Sequence, residues 1–288
     1  MNKSQLTSLC HAISQKTDLS FNAVMTYYFM EGILRRLSNS ALGAHLVFKG
    51  GFLLSNVVGI KARSTVDINL HLQQMTLTQE LVLPALSQAL EADNKDSIWY
   101  SIQSVQPIKE EERYSGLRIS VLCHLENIRQ VIPLDIATGD VITPHVVHYQ
   151  YVSIFSPDII SIQAYPLETM LAEKLHTVFV RGFLNSRSKD YYDLHIVYQL
   201  KRQHIDPKAL LDACRHTFQN RQTIWSSTGI RQTLTTLAQD DAFLKRWHAY
   251  QRKNPYVGET SFQDTIQSAL ALLDMIDVMD SRDSNDTK

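Results

Sequence analysis

The chain contains few cysteines and no long apolar run. Among its 288 residues there are three cysteines, Cys10, Cys123 and Cys214, and no Cys-x-x-Cys pair. They predict neither a disulfide framework nor a zinc ribbon, so we expect three buried, reduced thiols. No apolar stretch approaches the roughly 18 residues of a membrane span. The polar segment Met1–Lys16 lacks the regions of a signal peptide. We therefore expect a cytoplasmic protein without membrane contact.

Several motifs and any excess of one charge are also missing. The 28 Lys and Arg nearly balance the 29 Asp and Glu, so contact with nucleic acid would require a local basic cluster. Without a Walker A, Rossmann glycine or Gly-x-Ser-x-Gly pattern, P-loop ATPases, dinucleotide enzymes and serine hydrolases are disfavoured. His145 and His148 have no cysteine or carboxylate at metal-ligand spacing, so no zinc site is predicted. The 44% of hydrophobic residues is typical of a globular protein.

Apolar periodicity predicts an α+β fold. In the first part of the chain, helices and strands are interspersed: helices Asn22–Leu37, Phe52–Val58 and Leu81–Leu90, and strands His45–Phe48, Thr65–Leu72, Ile98–Val105, Leu117–Leu122 and Arg129–Ile136. After Pro166 the pattern predicts helices only: Leu167–Phe179, Lys189–Leu200, Pro207–Phe218, Ile230–Trp247 and Phe262–Met279. The expected product is a sheet with N-terminal helices, followed by a helical C-terminal half.

Proline positions indicate boundaries. Tyr165-Pro166 is typical of a helix start. It separates a predicted first domain, residues 1–164, from a helical second domain, residues 165–280. Residues 281–288 contain no apolar side chain and are expected to form a disordered tail. Pro133 favours an edge position or a bulge for its strand.

A paired-glycine turn is the first candidate for phosphate binding. Lys49, Gly50 and Gly51 lie between a short predicted strand and a predicted helix. This order aims backbone N–H groups at an anion, and glycine lets the backbone approach a phosphate closely. Paired glycines also form ordinary turns, so the motif has meaning only together with acidic residues elsewhere.

Two further strands supply candidate metal ligands. Asp67 and Asn69 are two residues apart, which on a strand places both on one face about 7 Å apart. Asp135 follows an apolar run and is expected on a neighbouring strand. Carboxylates so placed hold the hard cations of two-metal catalysis, although an asparagine oxygen contributes no charge. The alternatives are a surface strand with a turn-forming Asn69 and a strand-end turn at Asp135.

A late segment concentrates positive charge. Lys174 lies on a largely apolar predicted helix, and Arg187, Lys189, Asp190 and Asp193 surround the start of the next one. The segment predicts a local phosphate-binding surface. The alternatives are a lysine whose stem covers apolar surface and an i,i+4 ion pair between Lys189 and Asp193.

These segments together resemble the AbiEii family of nucleotidyltransferase toxins, which is similar to MenA-type toxins and belongs to the polymerase-β-like nucleotidyltransferase superfamily. The resemblance covers most of the chain and rests on these segments: Phe48–Gly51 with Arg63–Ile68, Pro133–Ile136 with Gly139–Pro144, Ala164–Glu168 with Ala172–Leu175, and Arg187–Asp193. It implies a nucleotidyltransferase-like mixed sheet whose active site is completed by the helical domain.

The resemblance also implies an activity and roles for residues. The enzyme would transfer a nucleoside monophosphate from an NTP to RNA, with the tRNA 3′ end as acceptor, and would need Mg²⁺ or Mn²⁺. It would act in a type IV toxin–antitoxin or phage-defence system beside an AbiEi-like antitoxin that it need not contact. Asp67 would bind metal, Lys174 would contact the triphosphate and Asp193 would be the required acid. Lys189 and Asp190 would support phosphate binding or the geometry of the site.

Asn69 departs from the family pattern, which usually has Asp or Glu at that position. Three hypotheses follow. The first is a metal-dependent nucleotidyltransferase using Asp67, Asn69, Asp135 and Lys174. The second is a catalytically degenerate relative that binds nucleotide, RNA or protein. The third is a kinase-like enzyme that transfers the γ-phosphate, and the position of the transferred label distinguishes it from the first.

Overall fold

The computed structural model describes residues 1–91, 97–109 and 115–286, without the side chains of residues 109, 115 and 282–286. Within these ranges it has a seven-stranded mixed sheet and ten α-helices, which confirms the α+β class. The chain divides into two units. The first comprises Met1–Gly139 and Val147–Ala164, and the second comprises Asp140–Val146 and the chain from Tyr165 onward. No helix in the described part of the chain is long and apolar enough to span a bilayer.

The first unit contains four helices: α1 Lys3–Thr17, α2 Phe21–Ser38, α3 Gly50–Val58 and α4 Gln79–Glu91. Polar caps set two of the starts. Asn2 and Gln5 form a capping box on α1, and the Ser20 hydroxyl accepts the Ala23 N–H at the start of α2. Periodicity did not predict α1, because among its residues only Leu6 and Cys10 are buried.

The sheet of the first unit has the order β3-β4-β5-β2-β1-β7-β6. Its strands are β1 Leu46–Lys49, β2 Ile68–Leu72, β3 Trp99–Lys109, β4 Ser115–Leu125, β5 Ile128–Ala137, β6 Val147–Val152 and β7 Ile159–Ala164. The pairs β1–β7 and β2–β5 are parallel and the others are antiparallel. The sequence did not predict β6 and β7. Both are short, and half of the residues of β7 are buried in alternation.

The edge position suggested by Pro133 is wrong. Its strand, β5, is internal and pairs with β4 on one side and β2 on the other. Proline is nevertheless tolerated there, since the pairing with β2 begins only at Leu134, one residue later. Pro133, which has no N–H group, therefore lies in the part of β5 that is not yet paired with β2.

Helix α2 is anchored by a buried carboxylate. Glu31 is 3% exposed and accepts hydrogen bonds from the Tyr151 hydroxyl, the Ser153 hydroxyl and the Ile154 N–H. Burial raises the pKa of Glu31, although these hydrogen bonds favour its ionised form. The carboxylate thus fixes α2 to β6 and to the residues that follow β6.

The second unit is helical. Its helices are α5 Leu167–Arg181, α6 Ser188–Lys201, α7 Pro207–Asn220, α8 Ser227–Leu237, α9 Asp241–Lys253 and α10 Phe262–Asp286. The single helix predicted over Ile230–Trp247 is wrong, because α8 ends at Leu237 and Asp240 caps the start of α9 by accepting the Phe243 N–H at 2.9 Å. Helix α10 continues to Asp286, whereas the sequence predicted a tail from Ser281; residues 287–288 lie outside the described part.

Residues 140–146, which the sequence assigned to the first domain, belong to the second unit. Thr143 and Thr169 exchange two hydrogen bonds, and Asp140 accepts one from the Tyr165 hydroxyl. The three cysteines are free and buried, as expected. Burial raises the pKa of the Cys10 thiol to about 11, so this thiol is unreactive at neutral pH.

Candidate functional site

Four polar side chains form one row across the sheet of the first unit. Register pairs Lys49 of β1 with Asn69 of β2, and Asn69 with Asp135 of β5. Arg118 of β4 lies opposite Asp135. Directly opposed residues project from the same face of a sheet, so these four share a face. Asp135 is therefore on the strand next to Asn69, and its position is inside β5 and not in a turn at the strand end.

Asp67 lies immediately before this row. The predicted strand began at Thr65, but β2 starts at Ile68, and the 62% exposure of Val66 shows that the apolar alternation there does not reflect a buried strand face. The half-buried Asp67 carboxylate accepts a hydrogen bond from the Thr65 hydroxyl. The Thr65 N–H in turn donates to the Tyr27 hydroxyl of α2 at 3.1 Å. Helix α2 thus positions the segment that carries the candidate ligand.

The paired glycines bring the start of α3 against the same residues. A Cβ atom on Gly50 would lie 2.9 Å from the Cβ atom of Asn69, and one on Gly51 would lie 2.9 Å from the Thr65 hydroxyl oxygen. Gly50 also has a φ of +72°, a conformation that favours glycine. The N-terminus of α3 therefore adjoins Asn69, which belongs to the row, and Thr65, which is bonded to Asp67. It brings its N–H groups and the positive end of its dipole to both.

A substitution can measure how closely the backbone approaches Asn69. We expect Gly50→Ala to lower the free energy of unfolding by about 2–4 kcal/mol, from the left-handed φ and from crowding against Asn69. Gly59→Ala is the matched control: its φ is +93°, but nothing lies within 4 Å of an added Cβ. It should cost only about 1–2 kcal/mol in urea unfolding. Equal losses for both variants would contradict a tight contact with Asn69.

Arg118 is a member of the row that the sequence analysis did not identify. Its Nε and one Nη donate to the two carboxylate oxygens of Asp135 at 2.7 and 2.6 Å. The hydrogen bond and charge of Asp135 raise the pKa of Arg118, and the charge of Asp67 adds to this. The sequence offered one signal for this residue: Arg118 is a charged side chain within the apolar alternation of the predicted strand Leu117–Leu122. Both oxygens of one candidate ligand are thus engaged by a cation.

The late candidate residues form an ionic cluster in the second unit. The Lys174 ammonium of α5 lies 2.5 Å from an Asp193 carboxylate oxygen and 3.3 Å from one of Asp190, both on α6. The two aspartate side chains are only 1% and 2% exposed, and that of Lys174 is 15% exposed. Arg187 pairs with Asp190 at 2.9 Å. Lys189 is half-buried in the first turn of α6. Lys174 is therefore fixed between carboxylates.

The candidate ligands Asp67, Asn69 and Asp135 suit one hard cation that also binds the substrate better than a metal ion enclosed by protein ligands alone. Within the described residues, no group of three or more His, Cys, Asp or Glu side chains is arranged to hold a metal ion. Asp67, Asn69 and Asp135 supply two carboxylates and one amide oxygen. Mg²⁺ is commonly held by one or two carboxylates together with substrate phosphates, so this set fits a metal that arrives with its nucleotide.

Comparison with known families agrees with this geometry. The family model described as nucleotidyl transferase AbiEii toxin, type IV TA system, matches residues 32–270. The chain belongs to the AbiEii family of nucleotidyltransferase toxins. The match includes α3, all seven strands and the α5–α6 ionic cluster. The resemblance found in the sequence is confirmed, and the protein is a nucleotidyltransferase by family.

Solved structures show the same fold at low sequence identity. A candidate nucleotidyltransferase from H. pylori has 14% identity and a TM-score of 0.56, covering 90% of this chain and 96% of its own. JHP933 from Helicobacter pylori has 13% identity and a TM-score of 0.55, covering 93% and 97%. No curated protein matches the sequence. The fold of this AbiEii member is thus shared over nearly the full length of both solved chains.

Proposed function

We propose that the protein transfers a nucleoside monophosphate from an NTP to a hydroxyl of an RNA acceptor, the 3′ end of tRNA, in the presence of Mg²⁺ or Mn²⁺. The observation that supports this most directly is the arrangement in the first unit. The glycine start of α3, Asp67 with Thr65, and the row containing Asn69 and Asp135 adjoin one another. Phosphate-binding backbone and metal-binding oxygens are what transfer from a triphosphate requires.

The reaction forms one bond and breaks one. The acceptor oxygen bonds to the α-phosphorus, and the bond from that phosphorus to the bridging oxygen breaks. The electron pair leaves with pyrophosphate, and the hydroxyl proton passes to solvent. Asp67 and Asn69 would hold the metal ion, which stabilises charge on the phosphate oxygens, while Asp135 beside them is bound by Arg118. The N–H groups of Gly50 and Gly51 would bind the triphosphate, with Lys49 on the adjoining strand end.

The ionic cluster of the second unit has a role in the same proposal. Lys174 would contact the triphosphate, and Asp193 and Asp190 would hold its ammonium in position. Arg187 and Lys189 would add positive charge at the start of α6. We propose that transfer needs this cluster as well as the carboxylates of the first unit.

The direct test is incubation of the purified protein with total tRNA, Mg²⁺ and each of the NTPs, labelled at the α-phosphate. We expect label to enter tRNA, and chelation of the metal by EDTA to stop it. Parallel reactions with γ-labelled NTPs separate this activity from kinase-like transfer, which would move only the γ-label. Transfer that persists after complete metal removal would contradict the proposed cofactor.

One observation favours a second candidate, a degenerate relative that binds nucleotide, RNA or protein without catalysis. Asn69 is neutral where the family has an acid, so a second metal would be held weakly. Absence of label transfer with every NTP, accompanied by saturable binding of nucleotide or tRNA, would support this candidate. AbiEii proteins are toxins of type IV toxin–antitoxin systems; we propose phage defence beside an AbiEi-like antitoxin as the setting, without a requirement for direct contact.

A further inference from the structure

Arg118 binds the Asp135 carboxylate, one of the candidate metal ligands of the row. Its guanidinium binds both carboxylate oxygens in a fork, at 2.7 and 2.6 Å, and the Asp135 side chain is only 14% exposed. Asp135 sits between Arg118 and Asn69 in the row across the sheet. A metal ion at Asp135 would have to share both oxygens with this fork, and the guanidinium charge beside it would oppose its binding.

The local charges agree with a single metal ion. Asp67 also attracts the Arg118 guanidinium, so this cation lies within the field of both carboxylates. Asn69, the neighbour of Asp135 in the row, adds no negative charge that would offset a second divalent ion. Asp67 and Asp135 therefore face one fixed positive charge, which favours one metal ion and disfavours two.

Part of the Arg118 guanidinium is open to solvent. The Arg118 side chain is 53% exposed although its inner edge is bound to Asp135. A guanidinium has five N–H donors and the fork uses two of them, so the outer edge presents donors that suit a phosphate oxygen.

We propose that Arg118 replaces the second metal ion of this nucleotidyltransferase, neutralising Asp135 and binding a phosphate oxygen of the NTP, while the one metal ion binds at Asp67. The proposal rests on the proposed nucleotidyl transfer. It explains why Asn69 is compatible with activity: a cation already fixed by the protein needs no second acidic ligand. The bonds formed and broken in the transfer remain those given above.

The test combines metal stoichiometry with activity. Manganese bound in the presence of an NTP analogue that cannot be cleaved between the α- and β-phosphates is counted by electron paramagnetic resonance. We expect about one manganese ion per chain for the natural protein and about two for the Asn69→Asp/Arg118→Gln double variant. Arg118→Gln alone should lower the rate of transfer by about a hundredfold or more. The double variant should transfer about tenfold faster than Arg118→Gln alone.

Matched variants separate this role from a structural one. Arg129→Gln removes an arginine of the neighbouring strand β5, which contacts His124, and should leave transfer and stoichiometry unchanged. Asn69→Asp alone should change transfer by less than about tenfold, since Arg118 still holds Asp135. Two manganese ions in the natural protein, or full transfer by Arg118→Gln, would overturn the proposal. The number of bound manganese ions can be measured without catalysis. It therefore tests the proposed role of Arg118 even if no transfer to tRNA is detected.

Discussion

Replacing Asp67 by asparagine is expected to lower the rate of nucleotide transfer by about a thousandfold or more. The carboxylate is the candidate metal ligand of the first unit, and a metal ion contributes several kcal/mol of transition-state stabilisation, with each 1.36 kcal/mol worth tenfold in rate. The asparagine side-chain oxygen can still accept the hydrogen bond from Thr65. The free energy of unfolding should therefore change by less than about 1 kcal/mol. Initial rates with α-labelled NTP and urea unfolding measure the two effects.

The matched control for this variant is Asp158→Asn in the same unit. Asp158 is exposed and pairs with Arg35 at 3.3 Å, a surface ion pair whose loss costs little. We expect transfer by this variant to equal that of the natural protein. Undiminished transfer by Asp67→Asn would remove Asp67 from the reaction and, with it, the metal site proposed here.

Replacing Lys174 by methionine is expected both to abolish transfer and to destabilise the second unit. The ammonium is the cation between the buried Asp193 and Asp190, and removal of one partner of a buried ion pair costs about 3–5 kcal/mol. The loss of free energy of unfolding is measured by denaturant titration. Lys208→Met is the control, because Lys208 is half-exposed and 3.8 Å from Asp212. It should cost no more than about 1 kcal/mol.

A double variant distinguishes stability from catalysis. Lys174→Met/Asp193→Asn removes the cation together with its nearer anion, so we expect it to regain much of the lost stability. Asp190 keeps its ion pair with Arg187 in this variant. Transfer should remain absent, because the cation proposed to contact the triphosphate is gone. Recovery of transfer along with stability would show that Lys174 has a structural role only.

Long elements with clear periodicity were predictable from the sequence. Helices α2, α5 and α7 lie within two residues of their predicted bounds, because each buries many apolar side chains at helical spacing. The strand before Gly50 and the helix after it were also predicted. Strands β6 and β7 were missed, since six-residue strands carry little pattern of their own. The break between α8 and α9 was missed because the capping role of Asp240 was not considered.

The amino-acid sequence was enough to predict the family, the α+β class and the residue types available for chemistry: the paired glycines, two separated aspartates and a late basic segment. The fold class and the residue types are local properties, readable from composition, spacing and periodicity, whereas the family follows from the resemblance of whole motifs. The folded chain was needed to show that Arg118 binds Asp135 and that Lys174 lies between two buried carboxylates. Arg118 and Asp135 meet through the pairing of β4 with β5, and Lys174 meets its partners through helix packing. No local pattern encodes which side chains such contacts bring together.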